Sequence, residues 1–171
     1  MSAQHLALIS GFPGCGKTTF MQWLAKEKQY LHLDMERGGL DREKLRDGWE
    51  NFCSGTDRVS FSAELLARSP KVVLDWNFPP SCIGLVNALL ERGCKLWWFE
   101  GDRLAARQRF LERGTEPIEA FDSHVGDICS SWQLIAPLVK GNIIRTIDAN
   151  GNFLPPERIF QRFANSRDHG T

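Results

Sequence analysis

The stretch Gly11-Phe-Pro-Gly-Cys-Gly-Lys-Thr18 decides the fold of this chain, because it matches the pattern GxxxxGK[ST] at every fixed position. An apolar segment, HLALIS at residues 5–10, precedes it, and an amphipathic helix over residues 17–28 is predicted after it. A strand, a glycine-rich turn and a helix in this order surround a polyphosphate with main-chain amides and a helix N-terminus. The sequence therefore predicts a nucleoside triphosphate site, a P-loop.

Each residue type in the loop has a chemical reason. Gly14 and Gly16 allow backbone conformations that other residues avoid, and they let the main chain approach a phosphate closely. The ammonium of Lys17 is expected to bridge the β- and γ-phosphates, and the hydroxyl of Thr18 to bind Mg²⁺, so the predicted ligand is the Mg²⁺ complex of a nucleoside triphosphate. The predicted nucleotide contacts in the loop are Gly11, Pro13, Gly14, Cys15, Gly16, Lys17, Thr18 and Thr19.

The composition of the 171 residues is that of one ordinary globular domain. Lys plus Arg and Asp plus Glu both number 21, and this balance argues against a nucleic-acid partner. No apolar run reaches the ~20 residues of a membrane span, and no signal peptide is recognisable, so no membrane partner and a cytoplasmic location are predicted. The five cysteines are not spaced as in zinc sites or disulfide frameworks.

Five short apolar segments alternate with helical ones, which predicts an α/β fold, a three-layer sandwich around a five-stranded parallel sheet. Four segments are nearly continuous in apolar residues, as strands covered on both faces are, whereas residues 30–35 alternate and are expected nearer an edge. The predicted strands are residues 5–10, 30–35, 71–76, 94–100 and 142–148. The predicted helices are residues 17–28, 41–52, 62–68, 81–92, 102–113, 121–139 with a break near Pro137, and 156–164.

Three features follow one another along the chain. They are the P-loop, the acidic residues Asp34 and Asp75 at two strand ends, and an arginine-bearing helix. Together they resemble the small P-loop kinases of the nucleoside-monophosphate-kinase-like group, which includes adenylate, shikimate, gluconate and zeta-toxin-like kinases. The similarity covers almost the whole chain. It implies a P-loop NTPase fold with strand order 2-3-1-4-5. It also implies a single domain over residues 1–165, with an acceptor region about 34–68, a lid about 102–127 and a frayed tail at 166–171.

Asp75 ends the apolar segment KVVLD, and the carboxyl ends of parallel strands line the ligand crevice of such folds. A carboxylate there can hold Mg²⁺ through a water, so Asp75 is a predicted metal-site residue; a solvated strand end is the alternative. The segment Asp75-Trp-Asn-Phe-Pro79 is similar to the adenylate-kinase pattern DGFPR. Pro80 replaces the arginine of that pattern, which argues against a nucleoside monophosphate as the acceptor.

Asp34 ends the second predicted strand, in the segment HLDMER. The resemblance to gluconate- and shikimate-like kinases implies that a carboxylate here faces the acceptor and the metal. Asp34 is therefore predicted either to accept the proton of an attacking hydroxyl or to orient that hydroxyl. Glu36 and Arg37 are second choices for contact with the acceptor, and a surface acidic cluster is the alternative interpretation.

The predicted helix at residues 102–113 carries four arginines. On a helical projection Leu104 and Leu111 lie within about 20° of each other, and Arg107 falls between them and Phe110. An arginine centred on a buried stripe is costly unless an anion meets it, and the γ-phosphate of ATP is a candidate. The order of preference for an anion-binding role is Arg107, Arg103 and Arg113, and Arg109 is expected to be a surface residue.

The segment Asp148-Ala-Asn-Gly151 occupies the place of the family's adenine-binding loop. The resemblance implies contact with the base at Asn150, with Phe153 or Arg145 stacking on it, although Asn-Gly also suits an ordinary turn. His124, in the lid region, is expected to be structural or solvated rather than catalytic.

These features support two classes of function. The first is a kinase that transfers the γ-phosphoryl group of ATP to a small-molecule acceptor, most simply a hydroxyl. The second is a nucleotide-binding module or NTPase switch without such an acceptor, which is motivated by Pro80 and by the absence of a substrate motif. A polynucleotide 5′-hydroxyl kinase is a third interpretation, and the neutral net charge argues against it. The sequence does not identify the acceptor.

Overall fold

The computed structural model describes residues 4–114 and 116–165. Its strands form one five-stranded parallel sheet in the order β2-β3-β1-β4-β5, which confirms the predicted fold class and strand order. The strands are β1 His5–Gly11, β2 Leu31–Asp34, β3 Lys71–Asp75, β4 Lys95–Glu100 and β5 Ile143–Arg145. The predicted frayed tail at residues 166–171 and residue 115 of the predicted lid lie outside the described residues.

The inner strands are buried along nearly their whole length. β1 pairs with β3 in parallel, from His5 opposite Lys71 to Ile9 opposite Asp75. In both strands every residue after the first is buried. Burial on both faces is what their unbroken apolar sequences predict, because helices cover a parallel sheet on both sides.

The two edge strands differ from the inner ones. β2 lies at one edge, as its alternating sequence predicts. The prediction of a strand covered on both faces is wrong for β5, in which Ile143 and Arg145 are exposed and Ile144 is buried. β5 has a neighbouring strand on one side only, so part of its surface remains open to solvent.

The helices lie around the sheet. Within the described residues, no helix is both long and apolar enough to cross a membrane. The helices are α1 Lys17–Lys28, α2 Gly39–Arg42, α3 Arg46–Ser54, α4 Ser60–Arg68, α5 Ile83–Glu91 after a 3-10 turn at Pro80–Cys82, α6 Arg103–Arg113, α7 Ile118–Ser130, α8 Trp132–Val139 and α9 Pro156–Asn165.

Two predicted helices are interrupted. The helix predicted at residues 41–52 is divided between α2 and α3, and Lys44 between them has a positive φ of 55°. The helix predicted at residues 121–139 breaks at Ser131, which has φ −104° and ψ 6°, and not at Pro137, which lies inside α8. The hydroxyl of the preceding Ser130 donates to the carbonyl of Gly126, a bond from i to i−4 that weakens helices.

The chain divides into two compact units. One consists of the chain up to Ile9 and Met21–Leu96, and the other of Ser10–Phe20 and the chain from Trp97 onward. In the first unit the ring of Trp49 packs edge-on against Trp76, with centroids 5.3 Å apart. In the second unit the ring of Phe20 packs on Phe99 at 5.5 Å and on Phe163 at 5.7 Å. The assignment of residues 1–165 to a single domain stays a prediction.

Candidate nucleotide-binding site

The loop between β1 and α1 contains three glycines in conformations that other residues rarely adopt. Gly11, Gly14 and Gly16 have φ angles of 137°, 74° and 76°. A Cβ atom on Gly11 would lie 2.1 Å from the carbonyl oxygen of Phe99, and one on Gly14 would lie 2.2 Å from that of Ala106. Backbone conformation and close packing therefore both require glycine at Gly11 and Gly14.

Lys17 is the first residue of α1, and its side chain lies against the loop that precedes it. The Nζ atom donates hydrogen bonds to the carbonyl oxygens of Phe12 at 2.8 Å and of Gly11 at 3.3 Å. The residue is only 6% exposed, and a buried ammonium needs acceptors or an anion. The positive charge is therefore held along the same glycine-rich turn that the sequence assigns to a polyphosphate.

Thr146, which directly follows β5, holds the loop in place. Its buried hydroxyl donates a 2.7 Å hydrogen bond to the carbonyl oxygen of Cys15. The sequence analysis did not identify Thr146. Its hydroxyl within an apolar strand segment was a usable signal, because a buried hydroxyl needs a hydrogen-bond partner. Cys15 itself is fully buried, and burial raises the pKa of its thiol to about 11, so the thiol is neutral and weakly nucleophilic at pH 7.

We expect Thr146→Val, which nearly preserves the shape, to lower the free energy of unfolding by about 1–3 kcal/mol. The reason is that the carbonyl oxygen of Cys15 loses its buried donor. Urea unfolding followed by circular dichroism measures the change. Thr56→Val is the matched control, because the exposed Thr56 hydroxyl bonds to Ser54, and it should change stability by less than about 0.5 kcal/mol. Equal effects of the two substitutions would contradict the assignment.

A cavity of about 550 Å³ opens beside the loop. The guanidinium group of Arg109 stacks over the ring of Phe153, 5.1 Å from its centroid, and Arg113 lies in the same lining. A Cβ on Gly16 would be 3.2 Å from the Phe153 ring, so this ring lies directly against the loop. The cavity lining from the loop comprises Gly14, Cys15, Gly16 and Thr19. A flat ring and a stacked cation beside a glycine-rich turn suit a heterocyclic base attached to phosphates.

The face of α6 that meets the loop differs from the predicted one. Leu104 is 79% exposed and Leu111 is 45% exposed, so the interpretation of these leucines as a buried stripe is wrong. The helix instead approaches the loop through Ala106, whose carbonyl oxygen lies against Gly14. A projection based on large apolar residues does not identify this face, because alanine is small. Arg109 is exposed, as expected, with its side chain 61% accessible, and this rotation also places it in the lining of the open cavity.

The arginines that the sequence placed first lie outside this cavity. Two guanidinium nitrogens of Arg107 donate to the carboxylate of Asp122 on α7, with Nε to Oδ1 at 3.0 Å and Nη2 to Oδ2 at 2.9 Å. The Arg107 side chain is 40% exposed, so it is not the buried cation that the projection indicated. Arg103 stacks over the ring of Phe12, 4.7 Å from its centroid. Of the three preferred arginines only Arg113 lines the cavity. Catalytic roles for Arg107 and Arg103 stay predictions.

The turn after β5 is closed by hydrogen bonds to the side chain of Asp148. The carboxylate of Asp148 accepts the main-chain N–H of Asn150 at 2.9 Å, which forms an Asx turn. Phe153 lines the cavity, and its role in stacking on a base stays a prediction. Asn150 is exposed and is not part of the lining. Arg145 also lies outside this cavity, where it pairs with Glu100 at 3.2 Å, because the exposed edge strand carries it away.

In the other unit the two predicted acidic residues lie side by side. Asp34 and Asp75 are register partners at the carboxyl ends of β2 and β3. The Oδ1 atom of Asp34 accepts the main-chain N–H groups of Glu36 at 3.0 Å and Arg37 at 2.8 Å, which fixes the orientation of the carboxylate. Sequence reasoning missed His32, whose Nε2 lies 3.7 Å from Oδ2 of Asp75. The available signal was its position two residues before Asp34, on the same face of the strand.

His124 on α7 is half-buried in the lid region. Burial lowers the pKa of its imidazole, and the positive charge of nearby Lys17 lowers this pKa further. The imidazole is therefore neutral at pH 7 and senses the charge of the phosphate-binding loop. The expectation that His124 is structural or solvated stays a prediction.

We expect His124→Gln to reduce the fall in the free energy of unfolding between about pH 7 and about pH 5. The unfolded imidazole takes up a proton near pH 6.5, whereas the folded one does so only at lower pH. The unfolded state then binds more protons, so the free energy of unfolding falls as the pH drops from about 7 to about 5. The variant lacks this contribution. Urea unfolding at a series of pH values measures the slope, and an unchanged slope in the variant would contradict the assignment.

The oxygen donors predicted for a metal fit Mg²⁺. Among residues 4–114 and 116–165, His, Cys, Asp and Glu form no group of three or more suited to hold a metal ion. Mg²⁺ at a phosphate site keeps several waters and phosphate oxygens and needs only one or two protein ligands. A hydroxyl such as that of Thr18 and a carboxylate such as that of Asp75 are ligands of the right kind.

Solved structures share this fold over most of the chain. The shikimate kinase of Bacteroides thetaiotaomicron is 16% identical, with 94% of this chain and 96% of that chain covered and a TM-score of 0.54. The shikimate kinase of Acinetobacter baumannii, solved with shikimate, is 18% identical, with coverage of 95% and 92% and a TM-score of 0.54. The gluconokinase of Sinorhizobium meliloti 1021 is 16% identical, with coverage of 92% and 88% and a TM-score of 0.50.

These neighbours are P-loop kinases of the nucleoside-monophosphate-kinase-like group, which confirms the resemblance at the level of the fold. No protein-family model and no curated protein matches the sequence. Identities of 16–18% support a shared architecture and do not identify a substrate. The chain therefore has the fold of the small P-loop kinases.

Proposed function

We propose that this protein is an ATP-dependent phosphotransferase that moves the γ-phosphoryl group of ATP to a hydroxyl of a small acceptor. The observation that carries the proposal is the phosphate-binding loop, with the buried Lys17 lying against it and a cavity of about 550 Å³ beside it. The solved structures with this fold are small-molecule kinases, which supports the same class of reaction.

In this proposal the loop amides and Lys17 hold the polyphosphate, and the adjoining cavity takes the adenine. Phe153 and Arg109 provide a ring and a planar cation for stacking on the base. Arg113 is the cation of α6 best placed to meet a phosphate in the same cavity. Mg²⁺ neutralises charge on the phosphates when it is bound, and Thr18 and Asp75 are the proposed ligands.

Asp34 is proposed to act on the acceptor. Its Oδ1 is already fixed by two main-chain N–H groups, whereas Oδ2 accepts no hydrogen bond from the described part of the chain. The second oxygen can therefore accept the hydrogen bond of an incoming hydroxyl and orient that hydroxyl for transfer. A new P–O bond then forms, the bond to the β-phosphate breaks, ADP leaves, and the hydroxyl proton passes to the carboxylate.

The acceptor is proposed to be a hydroxyl compound other than a nucleoside monophosphate. Pro80, at the start of the 3-10 turn after β3, stands where the adenylate-kinase pattern has an arginine for the acceptor phosphate. The solved neighbours are named for kinases of shikimate and gluconate, which both carry hydroxyl groups. Arg107 and Arg103 are proposed as secondary cations that neutralise charge during transfer, once α6 and α7 close over the nucleotide.

Labelled phosphate transfer tests this proposal. The protein is incubated with γ-labelled ATP, Mg²⁺ and a panel of sugars, nucleosides and hydroxy acids that includes shikimate and gluconate. We expect at least one labelled product whose formation is lost in Lys17→Met and reduced at least about tenfold in Asp34→Asn. Equal background in the wild type and in Lys17→Met for every acceptor would remove the kinase assignment for that panel.

The NTPase switch is the second candidate, because Pro80 removes the arginine expected for a phosphorylated acceptor. It predicts slow ATP hydrolysis that depends on Lys17, is unaffected by every small acceptor and changes when a partner protein is added. The same assay separates the two candidates, since an acceptor that becomes phosphorylated and accelerates ATP consumption rules out the switch.

A further inference from the structure

A second cavity of about 550 Å³ lies within the same unit as the phosphate-binding loop, and the nucleotide assignment leaves it without a role. It shares Leu154 with the first cavity, but Arg145, Arg158 and Arg162 line only the second of these two cavities. Four guanidinium groups line it, contributed by α6, β5 and α9. They belong to Arg103, Arg145, Arg158 and Arg162.

Three carboxylates also line this cavity, but each is already engaged. Glu100 accepts from Arg145 at 3.2 Å. Asp102 caps α6 by accepting the main-chain N–H of Ala105 at 2.8 Å. Asp148 accepts main-chain N–H groups of its own turn, and these bonds together with the nearby Arg158 lower its pKa. The carboxylates therefore offset the arginines only in part.

The placement of the arginines is locally unfavourable. Arg158 and Arg162 are four residues apart on α9, where like charges repel, and neither forms an ion pair within the described ranges. Arg103 begins α6 and Arg158 lies in the first turn of α9, although the start of a helix disfavours cations. A bound anion would remove each of these penalties at once.

The floor of the second cavity is apolar and connects to the first site. Phe12, Ile147 and Leu154 line it, and Arg103 stacks on the Phe12 ring at 4.7 Å. The carbonyl oxygen of Phe12 accepts the 2.8 Å hydrogen bond from Lys17. A ligand resting on the Phe12 ring would therefore touch the residue that holds the lysine of the phosphate-binding loop.

We propose that this second cavity is a separate binding site for a phosphoryl anion. Its guanidinium groups bind the phosphate oxygens, and its apolar floor accommodates the rest of a phosphate ester. Arg103, proposed above as a secondary cation of the transfer reaction, belongs to both assignments. The site is otherwise separate from the cavity proposed for the nucleotide, and it does not depend on whether the protein is a kinase.

Calorimetric titration with inorganic tripolyphosphate, in low salt and without Mg²⁺, tests the proposal. The wild type is expected to bind two molecules, and Lys17→Met and the double variant Arg158→Gln/Arg162→Gln one each. In the Lys17→Met background, adding the double substitution is expected to weaken the remaining binding roughly 100-fold, since two charge-assisted contacts are lost. Arg92→Gln/Lys140→Gln removes the same charge from exposed side chains elsewhere and should leave the stoichiometry at two.

Two further titrations show whether the ligand is a phosphate ester or free phosphate. In the Lys17→Met background, tighter binding of phenyl phosphate than of inorganic phosphate indicates an ester that uses the apolar floor, and equal binding indicates the free anion. Circular dichroism confirms that each variant is folded. The proposal is overturned if Lys17→Met binds no tripolyphosphate, or if its remaining binding is unchanged by the Arg158 and Arg162 substitutions.

Discussion

Replacing Gly14 with alanine is expected to lower the free energy of unfolding by about 2–5 kcal/mol and to abolish ATP binding. The backbone at this position has a φ of 74°, which costs an alanine strain, and the new methyl group would lie 2.2 Å from the carbonyl oxygen of Ala106. The obstacle is main chain of α6, so it cannot be relieved by a change of rotamer. The loop and the helix must separate instead.

Gly126→Ala is the matched control for this substitution. Gly126 lies inside α7, and an added Cβ would meet no atom within 4 Å. Alanine there is expected to stabilise the protein by about 0.5–1 kcal/mol, because it restricts the unfolded chain and favours the helix. Urea unfolding and ATP titration of both variants give the comparison. A Gly14→Ala variant that binds ATP with unchanged affinity would disprove the described geometry of the loop.

Lys17→Met is expected to lower kcat/KM for ATP roughly 100–1000-fold while the fold persists. Methionine keeps the apolar stem, whereas the ammonium that lies against Phe12 and Gly11 is lost. Because the ammonium holds the polyphosphate in the ground state as well as during transfer, the substitution should raise KM as well as reduce kcat. Steady-state kinetics with the best acceptor found in the panel measure both constants.

Lys26→Met controls for loss of a lysine on the same helix. Its side chain is 83% exposed and lies 3.6 Å from Glu27, so removing it should leave kcat/KM within about twofold. If Lys17→Met retains more than about a tenth of the wild-type kcat/KM, the ammonium does not serve the reaction in the way proposed here.

The sequence predicted the sheet more accurately than the lid. The strands were predictable because unbroken apolar runs around a glycine-rich turn have few alternative arrangements in a parallel sheet. The rotation of α6 was not, because it depends on a close approach between the Ala106 carbonyl and Gly14, which no periodicity encodes. Arg107 therefore ranked first, whereas Arg109 and Arg113 line the cavity.

Polar residues that act through tertiary contacts were the hardest to predict. Thr146 bonds to Cys15 across 131 positions of sequence, and His32 meets Asp75 only because β2 and β3 pair in register. Neither residue belongs to a motif. The pairing of Asp34 with Asp75 was closer to predictable, since both end apolar strands that the family resemblance places next to each other.

The hydrogen bond between Thr146 and Cys15 also makes the position of the phosphate-binding loop depend on the edge strand β5. β5 is only three residues long and has one neighbouring strand, and Thr146 follows it immediately. Such short edges open locally more often than the interior does. Fraying at this edge removes the hydroxyl donor from the carbonyl of Cys15, so the order of the loop depends on how rarely the border strand opens.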